Sequence, residues 1–525
     1  MKRSSPHTIK QFVSKKQKND HLDILNHEQR KIYDVVVNEG RNAFITGPPG
    51  TGKSLLVDYI KLGFKKKKKR VIISSSMAKS ALAIGGRTIH SLVGVGLVEN
   101  KDIKTIKVII ERNYHNKVFW KQHHVLIIDE ISILTSKTFV KFEKCIQLLR
   151  DNTLLFGGMQ VILIGDFYQL PPIKIIDPKD DLGKKIDDHL IDNHEKNEFD
   201  KDKDFVFRDK LFKKLKLEIC ELYIVMRQKD KEFNKMTEKV RRNKIDKQVV
   251  DYFNSKVVDV IPIFDDNIEP VYIFGRNKDV ARINNEKLDK LSGKEYTLEH
   301  TWTFYAKIGR KKIEHDGVET TLYANGHILN WPIQKYEKTK EYNEKALRLN
   351  QPVRVKKDAQ IIITANMNIN LGICNGTYGI FQDISFDNSF IMMKIENEMR
   401  ELKKKKLKFI LSTHTRNGEV IQFIASLSYF PIKLGWAITA HTSQGMTINR
   451  VVADLSNLFE YGQGYTIITR VKSPDNLFLL SFDPKCLKVN PLVQEFYEKE
   501  LKKMKEQRKG AETTRKLINT ANFYI

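Results

Sequence analysis

Eight consecutive residues, Gly47-Pro48-Pro49-Gly50-Thr51-Gly52-Lys53-Ser54, fit the pattern G-x-x-x-x-G-K-[ST] and constrain the fold more than any other part of the chain. An apolar run, Asn42–Thr46, precedes them, and Leu55–Leu62 follows with helical periodicity. Strand, glycine loop and helix in that order form a phosphate cradle. The glycines let backbone N–H groups curl around phosphate oxygens, and the helix N-terminus adds partial positive charge. Lys53 is then placed to reach the β/γ-phosphates of ATP, and the Ser54 hydroxyl to ligate Mg2+.

The complementary half is Val125-Leu126-Ile127-Ile128-Asp129-Glu130. Four apolar residues read as a buried strand, and two carboxylates follow at its C-terminal tip, the edge at which open α/β sheets bind ligands. Asp129 suits the Mg2+ shell. Glu130 suits orientation and deprotonation of an attacking water. A third buried strand leads into Gly165-Asp166-Phe167-Tyr168-Gln169-Leu170-Pro171-Pro172. Gln169 reads either as an amide that senses the γ-phosphate or as part of a proline-rich strand exit. Gln29, upstream of the loop, reads equally as an amide for the adenine edge or as a helix-surface glutamine.

Strands at Asn42–Thr46, Val71–Ser75, Val125–Ile128 and Gln160–Ile164 alternate with helical stretches. That pattern implies an α/β fold with a parallel sheet and crossover helices. At about 150 residues per domain, 525 residues make roughly three domains. Residues 1–21 read as a basic tail, and 22–205 as the loop-bearing domain with a small insertion near 86–108 and a charged loop at 174–205. A second set of strands and helices spans 206–284 and resumes at 431–485. Between them, 285–430 holds short strands with turns (Thr301–Tyr305, Ile361–Thr364, Tyr378–Ile384, Phe390–Lys394), an inserted β-rich module in which Trp302, Phe304 and Tyr305 read as core. Residues 486–525 read as a charged helical tail. The basic runs Lys65–Arg70 and Lys403–Lys406 fall between expected elements, as solvated loops or localisation signals.

Charge narrows the partner. Lys and Arg total 91 against 64 Asp and Glu, a net charge of +27. An excess that large points to a polyanion, nucleic acid before membrane, with a lysine-rich codon bias as the other reading. Cys145, Cys220, Cys374 and Cys486 have no metal-ligand or disulfide-framework spacing, and no apolar run reaches the roughly 18 residues of a membrane span. The basic N-terminus lacks an apolar signal core. The expectation is therefore an intracellular protein without a membrane partner. The lysine-rich tail favours the nucleus, with a mitochondrion or a viral replication site as alternatives. Ile9, Phe12 and Val13 resemble a degenerate sliding-clamp-binding peptide, but Pro6 stands where its glutamine belongs, and an ordinary tail is the favoured reading.

Several segments, in order, resemble the petite-integration-frequency helicases, superfamily 1B motors that move 5′→3′ on single-stranded DNA. They are Ile84–Ser91, Asp129–Ser132, Phe156–Pro172, Met226–Gln228 with a following helix that ends at Arg241-Arg242, Trp436–Thr447, and Phe459–Thr466 through Thr469-Arg470. They extend over residues 25–475. The resemblance implies two RecA-like P-loop NTPase domains, a small wedge insertion in the first and an SH3-like β insertion in the second, with Asn375-Gly376-Thr377 as a turn of that insert. It also implies two arginines, Arg227 and Arg470, brought from the second domain against the γ-phosphate. Each is a planar cation aimed where negative charge develops. DNA contacts are implied for Ser75, Ser76, Thr88, His90, His441 and Thr447.

Two departures stand out: Thr442 replaces the usual lysine, which removes a charge near DNA, and Ile468-Thr469-Arg470 replaces Leu-Ser-Arg. The implied activity is ATP-dependent unwinding of duplex and forked DNA in replication, repair or recombination, by a chain that is monomeric when free. The alternatives are a RecD-like or relaxase-type motor and a catalytically silent nucleic-acid-binding scaffold. The intact Lys53, Asp129, Glu130 and Arg470 speak against the scaffold.

Overall fold

Hydrophobic strands buried on both faces build the part of the fold that carries the loop. In the computed structural model the described residues are 21–500, apart from 77–83, 96–97, 99–100, 112–113, 173–203, 263, 265–267, 310, 319, 325–326, 348–351, 366, 369–372, 374–375, 396–397 and 417–418. The expected basic tail, nearly all of the charged loop, Asn375 and the end of the C-terminal stretch lie outside the described residues. The chain divides into two units. One takes in the described parts of Met1–Ile261, Tyr272–Arg276 and Thr439–Ile525, and the other Pro262–Val271 and Asn277–Ile438.

The first unit contains two lobes. In the first lobe, strands β1 (Ala43–Thr46), β2 (Val71–Ser75), β3 (Arg87–Thr88), β4 (Val125–Asp129), β5 (Gln160–Ile164) and β6 (Glu218–Glu221) form one sheet in the order β3-β2-β4-β5-β1-β6. Every pairing is parallel. Continuous apolar strands such as Val125–Ile128, all fully buried, are what such a sheet requires, because helices cover both faces. The helix Lys53–Lys66 buries Leu56, Val57, Ile60 and Phe64 on this sheet, beside Ile32, Val36 and Val37. The C-terminal tips of β1, β4 and β5 thereby converge, and they carry Gly47, Asp129 and Gly165. Residues 86–108 supply edge strand β3, the short helix Ile89–Val93 and the start of Ile103–Glu111.

In the second lobe, Val451–Leu455 lies between Val271–Phe274 and Leu477–Phe482 and pairs in parallel with the latter. The helices Lys231–Arg241, Lys247–Asn254 and Gln463–Ile468 belong to this lobe. Leu487, Val489, Val493 and Tyr497 are buried, and residues 491–500 are helical. The stretch read as a charged tail from residue 486 thus packs into the unit up to residue 500, because apolar side chains recur there at helical spacing.

The other unit is mostly antiparallel β. One sheet runs Glu398–Lys403, Phe390–Ile395, Tyr378–Ile384, Gln360–Ile363, Ile432–Leu434, and a second places Thr301–Ile308 between Lys311–Glu314 and Glu419–Tyr429. Its limits are wider than the 285–430 expected from composition. The helix Asn277–Lys290 buries Leu288, and the segment after Pro431 buries Trp436, both in the core around Phe381 and Met393. Phe304 packs in a separate core with Trp331 and Phe423, and Tyr305 is buried. Lys403–Lys406 sits at the corner between two long strands.

Candidate active site

The phosphate loop is shaped by what its glycines exclude. Gly50 (φ +85°) and Gly52 (φ +78°) are in the left-handed region, and a Cβ on Gly52 would come within 2.5 Å of Gln29 Nε2. Only glycine meets both demands. Lys53 extends across the loop and donates from Nζ to Gly47 O at 2.7 Å and Pro48 O at 2.9 Å. Burial lowers its pKa to about 8, against the opposing pull of Asp166, Glu130 and Asp129. Thr51 Oγ1 donates to Pro48 O and tightens the turn that includes Pro49. The Ser54 side chain is exposed at the first turn of the helix.

At the tip of β4, burial raises the Asp129 carboxyl well above its ordinary range, and the charge of Glu130 adds to this. Glu130 itself has φ +52°, an unfavourable conformation for a residue with a Cβ, and such strain concentrates at functional positions. Its Oε2 accepts from Gln444 Nε2 at 2.9 Å, and its backbone carbonyl accepts from Ser76 Oγ at 2.8 Å. Mg2+ fits this chemistry. Two crowded carboxyls gain from a dication, and Mg2+ keeps most of its water while taking few protein oxygens, so Asp129 and the Ser54 hydroxyl suffice as donors.

The second lobe supplies the cations. Arg470 is buried, with Nε donating to Thr466 O at 2.7 Å and Nη2 to Thr469 Oγ1 at 3.1 Å. The same Nη2 reaches Gln169 Oε1 of the first lobe at 3.5 Å. Burial lowers the pKa of Arg470 to about 9, and the neighbouring positive charge of Arg227 adds to this while Glu130 opposes it. Arg227 donates from Nη1 to Thr469 O at 3.2 Å, and its backbone N–H reaches Gly50 O at 3.2 Å. Lys53, Glu130, Gln169, Arg227 and Arg470 are thereby brought to one region, with the loop on one side and two guanidinium groups on the other. That arrangement can bind a triphosphate, activate water and neutralise a transferring phosphoryl group.

Gln29 is fully buried, so the helix-surface reading is corrected: its position at the third residue of a capping box holds it inward. Nε2 donates to Thr51 O at 3.1 Å, and Oε1 accepts from Asn26 N–H. The glutamine therefore ties the first helix to the loop. Among the implied DNA contacts, Ser75 is fully buried at the end of β2, and Ser76 is turned toward Glu130. Thr88 caps the helix Ile89–Val93 by accepting from Ser91 N–H, with His90 half-buried in its first turn. His441 and Thr447 are half-buried at the two ends of the Ala440–Thr447 segment. The Thr442 hydroxyl pairs with Thr439 Oγ1 at 2.9 Å.

A buried ion network lies beside the site. Arg241 Nη2 and Nε meet Asp166 at 3.2 Å each, and its Nη1 meets Glu221 Oε1 at 2.8 Å, all with fully buried side chains. Arg242 joins Glu221 at 2.6 Å, and the Tyr168 ring lies 4.8 Å from the Arg241 guanidinium. The signals available were the Arg241-Arg242 pair at a helix end and Asp166 beside Gln169. Gln444 lies within the Trp436–Thr447 segment, whose sequence does not reveal its contact with Glu130.

A phosphate loop, two strand-tip carboxylates and two arginines from a second lobe define a P-loop NTPase of the two-lobed motor class. The PIF1-like helicase family model matches residues 24–251 of this chain. The ATP-dependent DNA helicase Pif1 of Campylobacter jejuni is 29% identical over 478 residues, covering 87% of this chain and 94% of that one. Protein 030L of Invertebrate iridescent virus 6 is 28% identical over 541 residues, covering 92% of this chain and 95% of that one. The crystal structure of Pif1 helicase from Candida albicans superposes with a TM-score of 0.67 at 25% identity, covering 91% of this chain and 99% of that one.

Proposed function

We infer that this chain is an ATP-dependent DNA helicase that travels 5′→3′ along single-stranded DNA and opens duplex or forked DNA in replication, repair or recombination. The observation that carries the reading is the approach of Arg470 to Gln169, with Arg227 against the loop at Gly50. A cation of one lobe faces the γ-phosphate side of the other, so triphosphate binding draws the lobes together and its loss lets them part. Alternating closure becomes translocation when each lobe grips the strand in turn.

In this mechanism Gly47–Ser54 holds the triphosphate and Lys53 carries charge to its β/γ-oxygens. Glu130 takes a proton from the attacking water, and Gln444 fixes the carboxylate that does so. Gln169 reports the γ-phosphate to Arg470. Mg2+, held by Ser54 and Asp129, would neutralise charge on the β- and γ-phosphates. Arg227 and Arg470 stabilise the equatorial oxygens as charge develops, an effect worth about 10³–10⁵ in rate for such a residue. Ser76, Thr88, His90, His441 and Thr447 contribute to the strand path, while Ser75 supports it from beneath. The net charge of +27 supports a DNA substrate.

The enzyme acts as a monomer when free and works in the nucleus or, in keeping with its iridescent-virus relative, at a viral replication site. Strand displacement from 5′-tailed and 3′-tailed duplexes with ATP and Mg2+ tests the central reading. Displacement from the 5′-tailed substrate alone, lost in Lys53→Ala, is the expected result. Displacement only from the 3′-tailed duplex would reject the polarity, and full ATPase activity in Lys53→Ala would reject the motor.

A further inference from the structure

A tyrosine from the far end of the described chain sits at the base of the nucleotide site. Tyr497 is 1% exposed, on the helix over residues 491–500. Its hydroxyl lies 2.6 Å from Thr46 Oγ1, 3.2 Å from the backbone nitrogen of Phe167 and, more weakly, 3.5 Å from Asp166 Oδ1. One assignment satisfies all three: the oxygen accepts from the Thr46 hydroxyl and the Phe167 N–H while its own proton points to the Asp166 carboxylate. The ring stacks on Tyr168 at 4.5 Å and 12°. Its neighbour Phe496 stacks on Phe207 at 4.5 Å and stands edge-on to Phe167 at 5.7 Å.

The partners make this more than packing. Thr46 is the last residue of β1, directly before Gly47. Asp166, Phe167 and Tyr168 are the three residues that lead to Gln169. One hydroxyl therefore joins the strand end that launches the phosphate loop to the turn that carries the γ-phosphate-facing amide. Shape alone does not explain it, since phenylalanine would fill the same stack. A buried phenol is retained where its O–H has partners.

We propose that Tyr497 is a positioning residue for ATP hydrolysis, its hydroxyl setting the spacing between the phosphate loop at Thr46 and the Gln169 turn, so that the C-terminal helix tunes catalysis without touching nucleotide. The proposal rests on the helicase reading above. It places a determinant of turnover 330 residues away in sequence from the Gln169 turn and 451 from the end of β1 that launches the phosphate loop. Removal of the hydroxyl leaves Asp166 and Phe167 N–H without that partner and lets the Gln169 turn relax. The loss falls on the transition state, where Gln169 and Arg470 must meet the phosphoryl group, and not on ground-state binding.

The test uses the full chain with Tyr497→Phe and, from the other side of the same bond, Thr46→Val. Steady-state ATPase with single-stranded DNA is measured over a range of ATP, together with equilibrium affinities for ADP and for ADP with aluminium fluoride. Thr46→Val, which removes one of these buried hydrogen bonds, should lose about tenfold in kcat, and Tyr497→Phe, which removes all three, at least as much. KM and ADP affinity should hold, while affinity for the fluoride complex falls by the same factor as kcat. Tyr497→Phe added to Gln169→Ala should cost little beyond Gln169→Ala alone, because the two act as a unit. A wild-type kcat in Tyr497→Phe, equal losses of ADP and fluoride-complex affinity, or fully additive effects with Gln169→Ala would each overturn the proposal. A wild-type chain without ATPase activity would instead remove the helicase reading, a result distinct from any of these.

Discussion

Gln444 of the second lobe donates from Nε2 to Glu130 Oε2 of the first at 2.9 Å. The carboxylate best placed to activate water is thus oriented by the opposite lobe, and the backbone beneath it is held in a left-handed conformation. In the proposed mechanism, catalytic competence and lobe closure are joined through this one amide.

From that bond comes a graded expectation. Glu130→Gln removes the proton acceptor and should reduce DNA-stimulated ATP turnover by about 10²–10⁴-fold, the range for a general base. Nucleotide binding should survive. Gln444→Ala leaves the base in place but unheld, and a hydrogen bond to a charged group is worth about 1.5–3 kcal/mol, so turnover should fall by roughly 10–100-fold. Single-turnover hydrolysis with ATP bound in advance separates the two. Gln444→Ala turning over as fast as wild type would show that this contact does not orient the base.

Arg470 should be intolerant of any replacement. Its guanidinium serves Thr466 O, Thr469 Oγ1 and Gln169 Oε1 together, a planar fork that an ammonium does not reproduce. Arg470→Ala should lower kcat by about 10³–10⁵-fold with a small change in KM, and Arg470→Lys should recover little of it. Recovery to near wild-type turnover in the lysine variant would reduce Arg470 to a point charge.

The pH dependence follows from Lys53. Burial lowers its pKa from 10.5 to about 8, so the nucleotide-free enzyme loses this cation as pH rises through about 8. Because kcat/KM reports free-enzyme ionisations, it should decline above pH 8, and Lys53→Arg, though less active, should lose that inflection. The folded state binds fewer protons at this site than the unfolded state between about 8 and 10.5. Stability of the nucleotide-free chain should therefore gain from this group as pH rises through that window. A kcat/KM profile for ATP that stays flat to pH 9.5 would contradict the assignment.

The sheet was legible in the sequence because its strands are continuous apolar runs with chemistry at their tips. Val125–Ile128 followed by Asp129-Glu130 announces both burial and the edge that binds ligand. The β-module was legible as a module but not in its limits. Leu288 and Trp436, which close its core, lie in stretches whose local pattern resembles the neighbouring lobe. Gln29 illustrates a different limit. Its burial depends on a cap at Asn26 and on the close approach of Gly52, and periodicity encodes neither. Tyr497 and Arg241 lay further out of reach, because Tyr497 meets Phe167 across 330 residues and Arg241 meets Asp166 across 75. A long-range contact between single polar groups leaves no periodic trace.

The Arg241 network predicts a stability effect that should precede any catalytic one. Asp166 and Glu221 are fully buried carboxylates whose charges Arg241 meets, with Tyr168 against the guanidinium face. Arg241→Met preserves much of the volume but strands two negative charges away from water. Breaking a buried pair from one side costs about 3–5 kcal/mol, far more than an exposed pair. Arg242 compensates only partly, since it reaches Glu221 and not Asp166. Urea unfolding of the full chain, followed by fluorescence, should show an earlier transition in Arg241→Met. The double variant Arg241→Met with Asp166→Asn should recover part of the loss, because the amide no longer carries a stranded charge. An Arg241→Met chain as stable as wild type would mean that water reaches these carboxylates, and the coupling drawn from Asp166 to the Gln169 turn would have to be carried by Tyr497 alone.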